Sequence, residues 1–317
     1  MTNPKKANSV SDLNSSNFTQ SLESLKIRKL TLAETPYTLP IGVYSPDGDR
    51  LQEYTLKPYD GACERALSRL CAMKQNRTAE ILTDFMPVIL GSIGGKKLSE
   101  LSSLYDISIR DMIQNMYLAD AIHILLQLRT DEYDKSIRLS AKCPNCGTPH
   151  LDSEEEPSDL STVEVNWVKD LASPLIEISL KNPVVFFQGT EQEEIVSTVN
   201  IRPVRIRDLE RLNKVQKGED ILSLQHRILF STLVGSDKNT GEEYQHPTRT
   251  LSLLSVESLY DRLSTKDRSM LMKAVTKIGQ IGPEVQTEVH CQNPVCGNNF
   301  SASIPWQDLG SFLSGIM

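Results

Sequence analysis

Apolar residues recur at helical spacing in several parts of the chain, most clearly between Ser108 and Arg129. There Ile109, Met112, Ile113 and Met116 begin an i, i+3, i+4 pattern that continues to Leu126 and predicts one long amphipathic helix. Similar spacing predicts further helices over Asp60–Lys74, Thr78–Leu90, Ile206–Lys217, Asp220–Val234, Ser255–Leu263 and Thr265–Ile278.

Other segments alternate apolar and polar residues, which predicts strands. The turn residues Ser45-Pro-Asp-Gly48 precede one of these segments and predict a hairpin. The predicted strands are Leu51–Lys57, Ser136–Ala141, Thr162–Val168, Leu175–Leu180, Val184–Phe187, Ile195–Arg202, Glu284–His290 and Phe300–Ile304. Together the helices and strands predict an α+β fold.

Landmarks recur in the same order in the two halves of the chain, which predicts a weak internal duplication. Each landmark lies at nearly the same distance from a proline that ends a strand. The matched landmarks are Leu56-Lys57-Pro58 with Ile201-Arg202-Pro203, Glu64-Arg65 with Glu210-Arg211, Asp120 with Asp267, and Cys143 with Cys291. The pattern predicts two related strand–helices–strand lobes, although chance matching of common residues remains an alternative.

This interpretation divides the chain into four parts. Residues 1–26 are rich in Ser, Asn, Thr and Lys and predict a flexible polar arm. Residues 27–152 form the predicted N-terminal lobe, 153–193 a linker with strands, and 194–317 the C-terminal lobe with an apolar tail. In that tail the stripe from Trp306 to Ile316 either packs on the core or forms an exposed docking surface for a partner.

Each predicted lobe ends in a pair of cysteines followed by glycine. The first knuckle, residues 142–147, contains Cys143-Pro-Asn-Cys146-Gly147, and the second, residues 290–297, contains Cys291-Gln-Asn-Pro-Val-Cys296-Gly297. Two thiolates rarely satisfy zinc, whereas four complete the tetrahedral shell of a structural site. We therefore predict that Cys143, Cys146, Cys291 and Cys296 bind one zinc ion, so that two knuckle hairpins join the lobes at a zinc-ribbon-like site of four cysteines.

The alternatives are an iron–sulfur cluster on the same thiolates, a redox pair, or free buried thiols. A redox C-x-x-C usually starts at a helix N-terminus, whereas Ser136–Ala141 predicts a strand before the first knuckle. Cys63 and Cys71 have neither spacing nor turn residues of a knuckle and are predicted to be buried apolar residues.

Composition bounds the class of protein. The 317 residues carry a net charge of −7, which argues against a nucleic-acid partner. No apolar run approaches the length of a membrane span, and no segment resembles a secretory signal. Six cysteines without such a signal favour a reducing cytoplasm and metal chemistry over disulfides.

The sequence contains no recognisable catalytic constellation. It has no phosphate-binding glycine loop, no nucleophile elbow and no spaced histidine pair for a catalytic metal. His150 and His290 flank the knuckles and are candidates for supporting or substitute ligands, whereas His123 fits the predicted helix core. The prediction is a non-enzymatic protein with no catalytic residues.

The order of these features resembles tail and baseplate hub assembly proteins of T4-type contractile bacteriophages. In such proteins a middle helix ends in a Leu- and Arg-rich segment like Leu125–Arg129, followed by a turn like Cys143–Cys146. The segment Cys291–Phe300, followed by Trp306, Leu309 and Phe312, is similar to the way such chains close. The resemblance covers residues 39–313, and the four-residue gap in the second knuckle and the polar arm depart from it.

The resemblance implies a structural or chaperone-like role in building the tail baseplate hub. It implies other tail or baseplate proteins as partners, and the cytoplasm of an infected bacterium and the virion tail as locations. The alternative function is a cellular zinc-ribbon protein, either a regulatory protein or an adaptor for nucleic acid, and a metalloenzyme is the third alternative.

Overall fold

The computed structural model describes residues 36–45, 47–74, 77–152, 157–168, 174–186, 189, 194–212, 229–237, 243–247 and 259–314. The predicted arm, residues 1–26, and the acidic segment 153–156 lie outside the described residues. The described chain mixes helices with small antiparallel sheets, so the predicted combination of helices and strands in an α+β fold is confirmed at that level. None of the described helices is long and apolar enough to cross a membrane.

The first half opens with a strand hairpin, continues through helices and ends in short strands around the first knuckle. Its elements are β1 (Tyr37–Tyr44), β2 (Arg50–Leu56), α1 (Gly61–Met73), α2 (Thr78–Ile89), β3 (Leu90–Ile93), β4 (Lys96–Lys97), α3 (Leu98–Tyr105), α4 (Ile109–Asn115), α5 (Leu118–Glu132), β5 (Ser136–Ile137), β6 (Ser140–Lys142) and β7 (Pro149–Leu151).

Two short strands, β8 (Ser158–Asp159) and β9 (Val165–Asn166), lie on either side of a 3-10 turn and connect the two halves. The elements of the second half are β10 (Ile176–Phe186), β11 (Glu194–Ile201), α6 (Ile206–Leu212), β12 (Phe230–Asp237), β13 (Glu243–Pro247), α7 (Thr265–Gly279), β14 (Gly282–Pro283), β15 (Gln286–His290), β16 (Asn299–Ser303) and α8 (Leu309–Ser314).

The two larger sheets have the same topology. One has strand order β1-β2-β3-β4 and the other β10-β11-β12-β13, and every pairing is antiparallel between consecutive strands. In each sheet the register shifts inside the first hairpin, between Thr38 and Val43 and between Ser179 and Val184. The matched residues Lys57 and Arg202 each donate a backbone N–H across the sheet, to the carbonyls of Ile89 and Leu229.

The predicted helix over Ser108–Arg129 is wrong at its centre, because the chain breaks it into α4 and α5 at Met116–Tyr117. The break allows this segment to pair with the other half: Leu118 N–H donates to the Val204 carbonyl, and Ile206 N–H to the Met116 carbonyl. These two bonds replace helical hydrogen bonds that an unbroken helix would make. Helical spacing of apolar residues could not show this, since the partner is distant in sequence.

Two more local predictions need correction. The helix predicted over Asp220–Val234 is contradicted from Phe230 onwards, where β12 lies between β11 and β13. Its β-branched and aromatic residues fit a central strand, and the neighbouring strands supply the hydrogen bonds. Two separate strands were predicted at Leu175–Leu180 and Val184–Phe187, but β10 runs without interruption from Ile176 to Phe186. The Asn and Pro residues that predicted a break lie where the register with β11 is irregular.

The C-terminal tail belongs to the core of the first half. Trp306, Leu309, Phe312 and Leu313 are each at most 6% exposed and pack with residues of α1, α2 and α5. The hypothesis of an exposed docking stripe is therefore wrong for these residues. A separate apolar cluster lies between the second sheet and α7.

The halves also meet where β14, which pairs with β9 in a short sheet, packs against α5 of the first half. Gly282 in β14 has φ +103°, and a Cβ built there would lie 2.5 Å from the Ala119 Cβ of α5. Only glycine fits both the backbone angle and the close approach. The chain thus connects its two halves at several places in addition to the knuckles.

Candidate metal centre

Two β-hairpins position the four predicted cysteines. In the first, β6 pairs with β7, and Cys143 N–H donates to the Thr148 carbonyl at 2.9 Å. In the second, β15 pairs with β16, and Cys291 N–H donates to the Asn298 carbonyl at 2.9 Å. The same bond thus closes both hairpin tips, despite the longer gap in the second knuckle.

The glycine after each second cysteine adopts a left-handed conformation. Gly147 has φ +74° and Gly297 φ +55°. A residue with a Cβ is strained at such angles, which explains glycine at both positions. These turns bring both sulfurs of a knuckle to the same side of its hairpin.

The four sulfurs form one cluster. The Sγ atoms of Cys143, Cys146, Cys291 and Cys296 all lie within 4.8 Å of one another. Across the two knuckles, Cys143 Sγ lies 3.9 Å from Cys296 Sγ, and Cys146 Sγ lies 3.5 Å from Cys291 Sγ. Tetrahedral zinc with bonds of about 2.3 Å places its sulfurs about 3.8 Å apart, so the cluster fits one shared ion.

Hydrogen-bond donors surround the sulfurs of the first knuckle. Backbone N–H groups of Cys146 and Asn145 lower the pKa of the Cys143 thiol. The Thr148 hydroxyl, 3.1 Å from Cys146 Sγ, and the Thr148 backbone N–H lower the pKa of Cys146 to about 6. These donors favour the thiolate, which is the form that binds a metal.

The second knuckle shows the repulsion between neighbouring thiolates. The Asn293 backbone N–H lowers the pKa of Cys291, but burial and the neighbouring thiols outweigh it and raise that pKa to about 12. Four negative sulfurs at these distances repel one another, so complete deprotonation requires a cation among them. This arrangement of donors can therefore hold a metal ion.

The cluster has an inner and an outer side. Cys143 and Cys291 are 2% and 3% exposed and pack against Phe300, whereas Cys146 is exposed and Cys296 half-buried. A metal held here would be shielded by the hairpins on one side and approached by solvent on the other.

The remaining candidate residues lie outside the cluster. Among the described residues, the four cysteines are the one group with metal-ligand geometry. The two candidate histidines, His150 and His290, do not belong to that group. His150 Nε2 lies 3.3 Å from Asp152 Oδ1, and His290 Nδ1 lies 2.6 Å from Asn299 Oδ1. Cys63 is buried and Cys71 half-buried, both away from the cluster.

Two residues that support the cluster were not predicted. Thr148 acts on Cys146, and the Asn145 side-chain amide donates to Cys296 Sγ at 3.3 Å across the two knuckles. In the sequence Asn145 lies inside the first C-x-x-C, and Thr148 lies two residues after Cys146. Polar side chains so close to the cysteines were a signal, but the contact of Asn145 with the other knuckle depends on the fold.

No family of known proteins, no characterised protein and no solved structure matches this chain.

Proposed function

We propose that this chain is a non-enzymatic structural or chaperone-like protein, in which one zinc ion joins two related lobes. We further propose that it acts in assembly of the baseplate hub of a contractile bacteriophage tail. The single observation that carries the metal-binding part is the closed cluster of four sulfurs, contributed equally by two hairpins 145 residues apart at Cys146 and Cys291.

The donor set favours a structural ion. Four thiolates fill a tetrahedral shell and leave no position for water or substrate. Thiolates bound to different irons of a cluster lie further apart than sulfurs that share one ion, so a spread of at most 4.8 Å favours a single metal ion over an iron–sulfur cluster.

The two-lobe part of the proposal draws on matched features of the halves. The larger sheets share their strand order and the position of their irregular hairpin. Lys57 and Arg202 make the same cross-sheet bond, and Asp120 and Asp267 each bind the backbone of that irregular strand. In each half a hairpin with two cysteines follows the long helix.

The assembly part of the proposal rests on the resemblance described from the sequence and on the character of the centre. Within such a protein the chain's own residues would act by holding shape: the hairpins present four thiolates, and Thr148 and Asn145 orient two of them. A fixed seam between lobes gives a rigid body that partners can assemble on.

Elemental analysis of the purified chain tests the metal. We expect one zinc per chain, lost in Cys143→Ser/Cys146→Ser and retained in the matched control Cys63→Ser/Cys71→Ser. Iron in place of zinc, or metal unaffected by the first variant, would overturn the zinc centre.

The assembly role is tested by disrupting the coding sequence in its native genome. We expect lysates without complete contractile tails in negative-stain electron microscopy, restored by the wild-type chain supplied in trans. Normal tails after disruption, or a genome that encodes no contractile tail, would overturn this role while leaving the metal centre standing.

A further inference from the structure

The outer face of α7 carries positive charge that no described residue neutralises. Lys266, Arg268, Lys273 and Lys277 are all exposed, and no described ion pair involves any of them. The only carboxylate in the helix, Asp267, is fully buried and accepts hydrogen bonds from the backbone of β10. This exposed face is therefore purely basic in a chain whose net charge is −7.

The lysines form a continuous stripe. At 100° per residue, Lys266, Lys273 and Lys277 fall on one side of the helix, over a length of about 16 Å. Met272, 39% exposed, lies on the opposite side of the same outer face. Small polar residues, Ser269 and Thr276, occupy the surface between them. The result is a shallow face with cations along one border and an apolar side chain along the other.

The helix dipole favours Lys277, which lies in the last turn, but the other cations of α7 gain no such support. Lys266 and Arg268 lie in the first turn, where the positive end of the helix dipole repels cations. Lys273 and Lys277 are four residues apart, so their like charges repel each other. Unfavourable charge placement that no contact within the described chain compensates is typical of functional surfaces.

The matching helix in the first half is covered. Ala121, Ile122 and Leu126 of α5 are 0%, 7% and 6% exposed, at the positions that correspond to Arg268, Ser269 and Lys273 when Asp120 is aligned with Asp267. In α5 the chain itself packs over this face, with the 3-10 turn, β14 and α8 nearby. In α7 the same face carries charge in place of apolar residues.

We propose that the outer face of α7 is a docking surface for an acidic segment of a partner protein, with carboxylates on the lysine stripe and an apolar residue against Met272. The buried side of α7 fixes the surface, since Leu271, Ala274 and Ile278 pack in the second core. The overall negative charge of the chain opposes a long polyanion such as DNA, whereas a short acidic segment contacts only the local cations. This surface gives the proposed assembly role a partner class, yet it does not depend on the metal.

The test uses the full-length chain and a fluorescein-labelled peptide of about 12 residues, rich in glutamate with one central leucine, long enough to follow the stripe in extended form. Fluorescence anisotropy should show binding that weakens with added salt. Lys266→Glu/Lys273→Glu/Lys277→Glu should reduce the affinity by about tenfold or more, since each attraction becomes a repulsion. The matched variant Arg65→Glu/Arg69→Glu/Lys96→Glu, which changes three exposed cations elsewhere, should stay within about twofold of wild type.

Thermal melting and zinc content establish that each variant is folded, and the single Lys273→Glu replaces the triple variant if the latter is not. No peptide binding by the wild type, or equal loss in the two triple variants, would overturn the proposal. A DNA duplex that binds more tightly than the peptide through the same lysines would also overturn it, because the surface would then serve nucleic acid. Binding of the peptide by the metal-free chain would support the proposal that this surface acts independently of the zinc centre.

Discussion

Asp120 and Asp267 make the same connection in the two halves of the molecule. Each is the third residue of its helix, and each accepts hydrogen bonds from two consecutive backbone N–H groups of an irregular strand. Asp120 binds Ile41 and Gly42 at 2.7 and 3.0 Å, and Asp267 binds Lys181 and Asn182 at 2.8 and 3.4 Å. Each carboxylate thereby fixes a helix to its sheet.

The free energy of unfolding should depend on pH through Asp120. Burial raises the pKa of Asp120 to about 7, above its ordinary value of 3.8, although the two N–H groups oppose this. Between these values the folded state binds more protons than the unfolded state, so this residue makes stability fall as pH rises from about 4 to about 7. In Asp120→Asn that slope should disappear, and the loss of one acceptor should cost about 1–3 kcal/mol. Urea unfolding at several pH values measures both, and an unchanged slope would contradict the assignment.

Asp267 should show the opposite response. Burial raises its pKa, but the Ser264 hydroxyl and the N–H groups of Lys181 and Asn182 outweigh burial and hold the pKa below 3.8. The ionised Asp267 therefore stabilises the fold above about pH 4, and this stabilisation is lost as the pH falls through the lowered pKa. In acid unfolding curves, Asp267→Asn should be less sensitive than wild type below pH 4. Equal acid sensitivity of the two proteins would refute this.

Loss of the metal should loosen the hairpins without separating the halves. In Cys291→Ser we expect no bound metal and faster hydrogen exchange in residues 140–151 and 286–303. The long helix α5 should keep its protection, because the β9–β14 pairing and the buried tail do not involve the cysteines. Exchange mass spectrometry measures this, with Cys71→Ser as the control that retains metal. Exchange that rises equally throughout α5 would show that the metal holds the entire fold.

The tail should be essential for stability. Phe312 is 1% exposed in the first core, so Phe312→Ala should lower the free energy of unfolding by about 3–5 kcal/mol. The exposed Val295, by comparison, should tolerate alanine within about 0.5 kcal/mol. Urea titration of both variants compares them, and similar midpoints would contradict the burial of the tail.

Gly282 should resist substitution more than other glycines with a positive φ. Gly282→Ala combines a backbone cost of about 1–2 kcal/mol with crowding against Ala119 of about 1–3 kcal/mol. Gly95→Ala, with φ +72° and no atom within 4 Å of the added Cβ, should show the backbone cost alone. Thermal melts that rank Gly95→Ala as the more damaging change would contradict the close contact.

Local chemistry in the sequence was sufficient to predict the cysteine cluster. Turn residues and spacing identify each knuckle, and the requirement for four ligands pairs the two. The sequence also matched Asp120 with Asp267, and in the structure both carboxylates accept hydrogen bonds from the backbone of a strand. Four cysteines do not by themselves identify the metal, since tetrahedral sulfur sites suit more than one ion.

Contacts distant in sequence account for the predictions that were wrong. Apolar periodicity runs unbroken through Met116, yet pairing with Val204 and Ile206 breaks the helix there. Phe230–Asp237 becomes a strand because β11 and β13 lie on both sides of it. The apolar stripe that begins at Trp306 was equally consistent with a core and a surface position. Its packing against α1 and α5, which are distant in sequence, places it in the core.

The position of α8 has a consequence for synthesis of the protein. The first half is translated before Phe312 and Leu313, yet its core includes both residues. A nascent chain therefore exposes apolar surface on α1 and α5 until α8 has been translated and can pack there. Any prematurely terminated product lacks this cover, which leaves it a substrate for chaperones and proteases. The core of the first half is therefore complete only after α8 has been translated and has packed.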